Sequence, residues 1–153
     1  MSDSFRVRPA TSSDLDELAR LFAALGYPVA PETLGDRFRA YSTAGEHAFV
    51  AEGANALLGA LTVHATPVLH RPSFVGRITA LIVDESARGR GVGRALVAAA
   101  EHHLAERGCE LIEVTSNQRR ADAHAFYERL GYDRTSLKFA KPLPTRSPAA
   151  PRG

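Results

Sequence analysis

Residues 85–104, ESARGRGVGRALVAAAEHHL, set Gly89, Gly91 and Gly93 among Arg88, Arg90 and Arg94. A run of alanine, leucine and valine follows at once, and the apolar segment VGRITALIVD comes directly before. A chain so written must pass from a strand through an unusually free, cationic bend into a good helix. Glycine permits backbone conformations closed to other residues and removes the Cβ that would obstruct a close approach. The first amides of a helix lack intrahelical acceptors and carry the positive end of its dipole. Such a junction is either a site for phosphate oxygens, to which the three arginines add charge-assisted bonds, or an ordinary strand–helix turn whose arginines are solvated. No Gly-Lys-Ser/Thr follows, so this is not a Walker loop, and the spacing is not the G-x-G-x-x-G of a dinucleotide fold.

The rest of the chain supplies elements around that junction. Phe5 and Val7 alternate with Arg6 and Arg8 as a short, half-buried strand. In TSSDLDELARLFAALG, Ser12 or Ser13 is the expected cap, and Asp14, Asp16 and Glu17 suit the helix start. Leu15, Leu18, Phe22 and Leu25 share a face, and Gly26 ends the helix. PETLGDRFRAY repeats the helical spacing with Leu34, Phe38 and Tyr41. HAFVAEG and ALLGALTVHA are strands joined through Gly53-Ala54-Asn55, and TPVLHRPSF is a proline-marked loop. CELIEVTS is a further strand, ADAHAFYERLG a helix and SLKFAK a last strand. The order β-α-α-β-β-β-α-β-α-β predicts a mixed α/β sheet, antiparallel at its hairpins and parallel where helices cross over. From Pro142 onward the proline-rich PLPTRSPAAPRG is expected to be a disordered tail, leaving one domain over residues 1–141.

Composition narrows the function classes. At 153 residues, 44% hydrophobic and 24% charged, the chain has the makeup of a soluble globular domain. A formal charge of +2 is too small for bulk nucleic-acid binding, so the arginines matter by where they cluster. The single cysteine, Cys109, excludes an internal disulfide and any multi-cysteine metal site, and its apolar neighbours mark it as a packed strand thiol. No stretch approaches the roughly 18 apolar residues of a membrane span. MSDSFRVRP has no apolar signal core, which makes a cytoplasmic location the expectation. His102-His103 beside Glu101 reads as a solvated helix face, not a metal site.

Two blocks together carry a family resemblance. Arg88-Gly89-Arg90-Gly91-Val92-Gly93, after the strand end LIVD, matches the R/Q-x-x-G-x-G/A signature of the GCN5-related N-acetyltransferase (GNAT) superfamily. TSNQRRADAHAFYERLGY resembles that family's second block, a strand-end Asn before a helix bearing Phe-Tyr. The resemblance covers residues 5–141. It implies a central mixed sheet of six to seven strands flanked by about four helices, with acetyl-CoA as cosubstrate and no metal.

Residue by residue, the resemblance implies that the backbone of Arg88, Gly89, Arg90, Gly91, Val92, Gly93 and Arg94 holds the CoA pyrophosphate. The pantetheine arm would pair like an added strand with Leu81, Ile82 and Val83, across a splayed gap before LIEVTS. A backbone N–H near Leu81 or Ile82 would meet the developing oxyanion, and Asn117 would contact the cofactor. Tyr127 would be the general acid toward the departing thiolate. Neighbouring helix positions point about 100° apart, so Phe126 would pack with Leu130 and leave Tyr127 to face the cofactor. Relatives often carry a Glu on the strand before the turn; GRITALIV has none, leaving His64, His70 or a water chain as proton acceptor. Arg119 and Arg120 would either touch the adenosine phosphate or solvate their loop.

The activity implied is transfer of an acetyl group from acetyl-CoA to a primary amine of a small molecule or protein, by direct attack on the thioester. The acceptor would lie along residues 26–42 and 65–75, with Tyr27, Tyr41, His70 and Arg71 lining its pocket. The competing class is a non-catalytic acyl-CoA sensor or scaffold, and a remoter one is a nucleotide-phosphate binder of another fold. Neither nucleic acid nor membrane is an expected partner, and a homodimer is expected only by analogy with relatives.

Overall fold

In the computed structural model, residues 4–115 and 121–145 are described, with the side chain of Ala121 excepted. The chain forms two units, residues 1–115 and 116–153.

The first unit is built on five strands: β1 (Arg6–Pro9), β2 (Ala48–Glu52), β3 (Leu57–Thr66), β4 (Phe74–Val83) and β5 (Cys109–Val114). They lie side by side in chain order. The first three pairings are antiparallel and β4–β5 is parallel. The mixed sheet of the sequence reading is present. Helices α1 (Leu15–Leu25), α2 (Pro31–Thr43) and α3 (Val92–Glu106) complete the unit.

The helix signals work with one change of register. Gly26 ends α1 in the left-handed region, φ 105°, as expected. At the other end a single 3-10 turn, Ser12–Asp14, precedes the helix, and Thr11 rather than Ser12 or Ser13 stands at its cap. Asp14 folds back to accept the Thr11 N–H at 2.8 Å. Arg8 does not point out into solvent. It reaches Asp14 through a two-pronged contact, 2.8 Å on each prong, and Glu52 at 3.2 Å. This joins β1, the start of α1 and β2.

Adjacent residues of a strand face opposite sides, and β3 shows which helices lie where. Ala60 belongs to the apolar cluster of Leu18, Leu21, Leu34, Val50 and Ile82 beneath α1 and α2. A Cβ added at Gly59 would lie 3.1 Å from both Val92 and Leu96 of α3, and 2.7 Å from the Ile82 carbonyl. The sheet is therefore sandwiched, with α3 on one face and α1 and α2 on the other. Val92, Leu96, Val97, Ala100 and Leu104 form the buried stripe of α3.

The β3–β4 register slips once: Val63 faces Ile78, whereas Thr62 faces Ala80. Thr79 is the extra residue of a bulge, and it reverses the faces of β4. Before it, Gly76 packs on Leu104 of α3. After it, Ala80 and Ile82 pack with the α1 cluster.

The second unit contains α4 (Ala121–Arg129), closed at Gly131 with φ 93°. The expected last strand, SLKFAK, is not formed: residues 132–145 carry no helix or strand. The described sheet thus has five strands instead of six or seven. Leu137, Phe139 and Leu143 of this segment are exposed. A strand needs a neighbour to accept its backbone hydrogen bonds, which the residues of one segment do not reveal. No helix among the described residues is long and apolar enough to cross a membrane.

Candidate active site

The site begins where β4 and β5 part. Their pairing runs from Phe74 opposite Cys109 to Ile78 opposite Val114 and ends there. Beyond it, Ala80, Leu81, Ile82 and Val83 pair with β3 on one side only. Among the described residues, Thr79–Val83 have no strand partner on the β5 side. Leu81, Ile82 and Val83, the residues expected to pair with an extended ligand, therefore border an open edge.

That edge leads straight into the glycine turn. Asp84 opens a 3-10 turn, Glu85–Ala87, and accepts the Ser86 N–H at 3.3 Å and the Ser86 hydroxyl. Ala87 is fully buried, Arg88 is extended, and Gly89 and Gly91 take φ of 79° and 81°. A Cβ at either glycine would meet nothing within 4 Å, so the space above both is open. Gly91 is the cap of α3, no side chain caps that end, and its first turn holds no acidic residue. The first hydrogen bond of the helix runs from the Ala95 N–H to the Gly91 carbonyl, 3.0 Å. The amides of Val92, Gly93 and Arg94 precede it and point out of the helix start. Arg88 and Arg94 are exposed and Arg90 is half-buried. All seven residues expected to grip the pyrophosphate are thus in one bend.

The face of the sheet under α1 and α2 turns polar at the bulge. The Thr62 and Thr79 hydroxyls are 2.6 Å apart. His64, two residues along β3, has Nδ1 2.7 Å from the Thr66 hydroxyl and stands opposite Arg77 of β4. Arg77 in turn pairs with Glu113 of β5 at 3.0 Å. The sequence singles out His64, but the row around it carries no signal there, because strand register brings it together.

Other sequence expectations divide. Tyr41 does not line a pocket: its hydroxyl accepts the Val63 N–H at 2.9 Å and reaches the Val63 and His47 carbonyls. Burial pushes its phenol up. Tyr27, His70 and Arg71 are exposed. His103 is not a solvated residue. It stacks on His47 at 4.6 Å and meets Phe49 edge-on, and burial, then His47 and Arg107, hold its imidazole below the ordinary range. His102 is exposed and pairs with Glu106 at 3.1 Å. Cys109 is half-buried, and burial raises its thiol, in keeping with a packed strand residue. Among the described residues no three His, Cys, Asp or Glu are grouped as a metal would need.

In the second unit, Tyr127 on α4 is not separate from Phe126. The two rings stand 5.1 Å apart edge to face, and the Tyr132 ring meets the Tyr127 ring edge-on at 5.6 Å. Long aromatic side chains bridge the angle between neighbouring helix positions, which backbone direction alone does not anticipate. Burial pushes the Tyr127 phenol up to about 12. Asn117, Arg119 and Arg120 lie outside the described residues.

A mixed sheet whose parallel pair parts beside a glycine-rich helix start defines an α/β protein in which a strand leads into an open turn. Comparison with known sequences makes this specific: residues 14–132 match the acetyltransferase (GNAT) family, and the chain belongs to it. Over 87 residues it is 37% identical to the aminoalkylphosphonate N-acetyltransferase of Salmonella typhimurium, a match spanning 57% of this chain and 56% of that one. The chain thus spans about half the length of that curated relative. An acetyltransferase of Trypanosoma brucei shares the fold with a TM-score of 0.81 at 24% identity, covering 92% of this chain and all of that one. An aminoglycoside N-acetyltransferase solved in complex with CoA superposes with a TM-score of 0.82 at 17% identity, covering 92% of this chain and 95% of that one.

Proposed function

We propose that the protein is an acetyl-CoA-dependent N-acetyltransferase acting on a primary amine of a small molecule or protein. One observation carries this reading: the run Thr79–Val83, which among the described residues has no strand partner on its β5 side, leads into the start of α3, whose amides no side chain caps. A strand edge suits the amide-bearing pantetheine arm, and the helix start suits the pyrophosphate. The Salmonella relative is named for acetyl transfer to an aminoalkyl compound, and the solved aminoglycoside enzyme carries CoA.

In this reading the acceptor amine, once deprotonated, attacks the thioester carbonyl carbon. Negative charge gathers on the carbonyl oxygen, where a β4 amide near Leu81 or Ile82 donates to it. Collapse breaks the C–S bond, and Tyr127 protonates the departing CoA thiolate while the amide product keeps the acetyl group. As the C–N bond forms, His64 takes the proton that the nitrogen must shed to become an amide, and solvent carries that proton away and restores the one that Tyr127 gives up. With Nδ1 donating to Thr66, the His64 Nε2 keeps a lone pair, and the ring stands on the polar face beside the bulge. Asn117 completes the cofactor contacts. Residues 1–141 are one acetyltransferase domain in this reading, supported by a family match that runs through the junction at residue 115. A cytoplasmic location and a homodimer belong to the same proposal. Acetyl-CoA is a cytoplasmic metabolite, and exposed Leu69, Phe74 and Leu111 around the sheet's β5 end would suit a second copy.

Calorimetry with CoA, followed by thiol release from acetyl-CoA over a panel of amines, tests the reading. Binding together with amine-dependent release is expected. Binding without release on any amine would make the protein a sensor or scaffold, and no binding of CoA would remove the proposal.

A further inference from the structure

A bend containing Gly89, Gly91 and Gly93 samples many conformations, so its binding shape must be imposed by what flanks it. On the C-terminal side α3 is seated by Val92 and Leu96, packed against the bare backbone of Gly59. On the N-terminal side the chain leaves β4 at Asp84, only four residues before Arg88. Asp84 donates its N–H to the Leu58 carbonyl at 2.8 Å. Its carboxylate is held from 64 residues away, by Arg20 of α1, at 2.8 Å.

Arg20 uses its whole guanidinium there. One edge meets Glu17 at 2.6 Å, and the remaining donors reach Asp84 and, at 2.9 Å, the Leu57 carbonyl. Glu17 accepts the Leu57 N–H at 3.1 Å, closing the cluster. Three pieces of chain, α1, the start of β3 and the exit of β4, are thereby tied together. The side chains are partly exposed, 42% for Arg20, 36% for Glu17 and 28% for Asp84, so solvent screens their contribution to global stability. A cluster of this sort contributes little to keeping the protein folded and more to fixing one local geometry.

We propose that Arg20 is a positioning residue for the cofactor, fixing Asp84 so that the glycine turn is already shaped for a diphosphate before the ligand arrives. This rests on the acetyl-CoA reading. Arg20 touches neither cofactor nor acceptor; it acts through Asp84. Without it the turn is binding-competent only part of the time, and the apparent affinity falls by that fraction. Once acetyl-CoA is bound, the turn is held by the ligand itself, and the chemical step is unaffected.

The test is calorimetric titration of the full chain with CoA, together with steady-state kinetics in acetyl-CoA. In Arg20→Ala, Kd and KM are expected to rise about fivefold to tenfold, a competent fraction of about 0.1–0.2. The value of kcat should stay within about twofold of wild type, the signature of lost binding rather than lost chemistry. Arg20→Lys keeps the charge without the fork and should bind with intermediate affinity. Arg6→Ala, which removes an exposed cation paired with Glu52 and lying outside the acceptor segments, controls for the simple loss of positive charge. Should Arg20→Ala fail to fold by circular dichroism, Asp84→Asn carries the same threshold, since it keeps the Ser86 contacts and weakens the arginine pair. An affinity within about twofold of wild type in the folded variant overturns the proposal, as does an equal loss in Arg6→Ala. If wild type itself binds no CoA, the functional reading falls, a result distinct from either of these.

Discussion

The Tyr41 hydroxyl takes the place of a strand at Val63. Strand β2 begins at Ala48, opposite Thr62, so among the described residues the next β3 residue has no strand neighbour on that side. The phenol accepts the Val63 N–H at 2.9 Å and donates to a backbone carbonyl, letting α2 close the sheet edge that β2 leaves open. Replacing Tyr41 with Phe keeps the ring and strands a part-buried amide. The expected loss is about 1–3 kcal/mol in urea denaturation, with CoA affinity unchanged. Equal stability of the two proteins would show that the contact is replaceable by water.

Glycines 59 and 91 make opposite predictions about where a methyl group hurts. At Gly59 a Cβ would sit 2.7 Å from the Ile82 carbonyl and 3.1 Å from Val92 and Leu96. Gly59→Ala should push α3 off the sheet and destabilise by about 1–3 kcal/mol. At Gly91 nothing crowds the methyl, and φ of 81° leaves only the left-handed strain, about 1–2 kcal/mol. The same methyl stands in the open space over the uncapped amides. Gly91→Ala should weaken CoA binding beyond its effect on melting, and Gly91→Glu should abolish binding by setting a carboxylate where the diphosphate belongs. Undiminished CoA affinity in Gly91→Glu would remove the anion site from this turn.

The glycine turn was legible in the sequence because everything it needs is local: bend, charge and helix start lie within ten residues. Helix order and the parallel crossover followed for the same reason. The bulge at Thr79 left no mark, since it exists only as a mismatch between two strands. Arg20 and Asp84 are 64 residues apart, and each reads alone as an ordinary surface charge. Tyr41 misled because its aromatic spacing fits a pocket wall as well as a backbone clamp. SLKFAK misled because a strand needs a neighbour, and the segment's own residues do not say whether one is there.

Asp14 makes stability depend on acid. It is buried, and the Arg8 guanidinium holds its carboxyl below the ordinary carboxylate value of 3.8. The folded state therefore keeps this group ionised at pH values where the unfolded chain has already taken up a proton. Its stabilisation is complete above that ordinary value and is lost as pH falls through the lower, folded one. Arg8→Met removes the partner and leaves the carboxylate buried, with an expected loss of about 3 kcal/mol at neutral pH. The variant should also lose the part of the acid transition due to Asp14. Chemical denaturation at a series of pH values checks both, and parallel acid limbs in the two proteins would assign that transition to other groups.

Tyr127 is the sharpest test of the chemistry. Burial pushes its phenol up to about 12, so it holds its proton throughout the neutral and mildly alkaline range. The phenol therefore keeps a proton to donate across that range, which a phenol already ionised at pH 9 would not. Tyr127→Phe retains the ring that packs edge-on against Phe126 and Tyr132 and removes only the hydroxyl. Turnover should fall about 100-fold or more while the Kd for CoA stays within about twofold. In wild type, kcat should show no alkaline decline from this group up to about pH 10, two units below its ionisation. Should Tyr127→Phe turn over its amine at the wild-type rate, protonation of the thiolate passes to solvent, and the ring contacts become the residue's whole role.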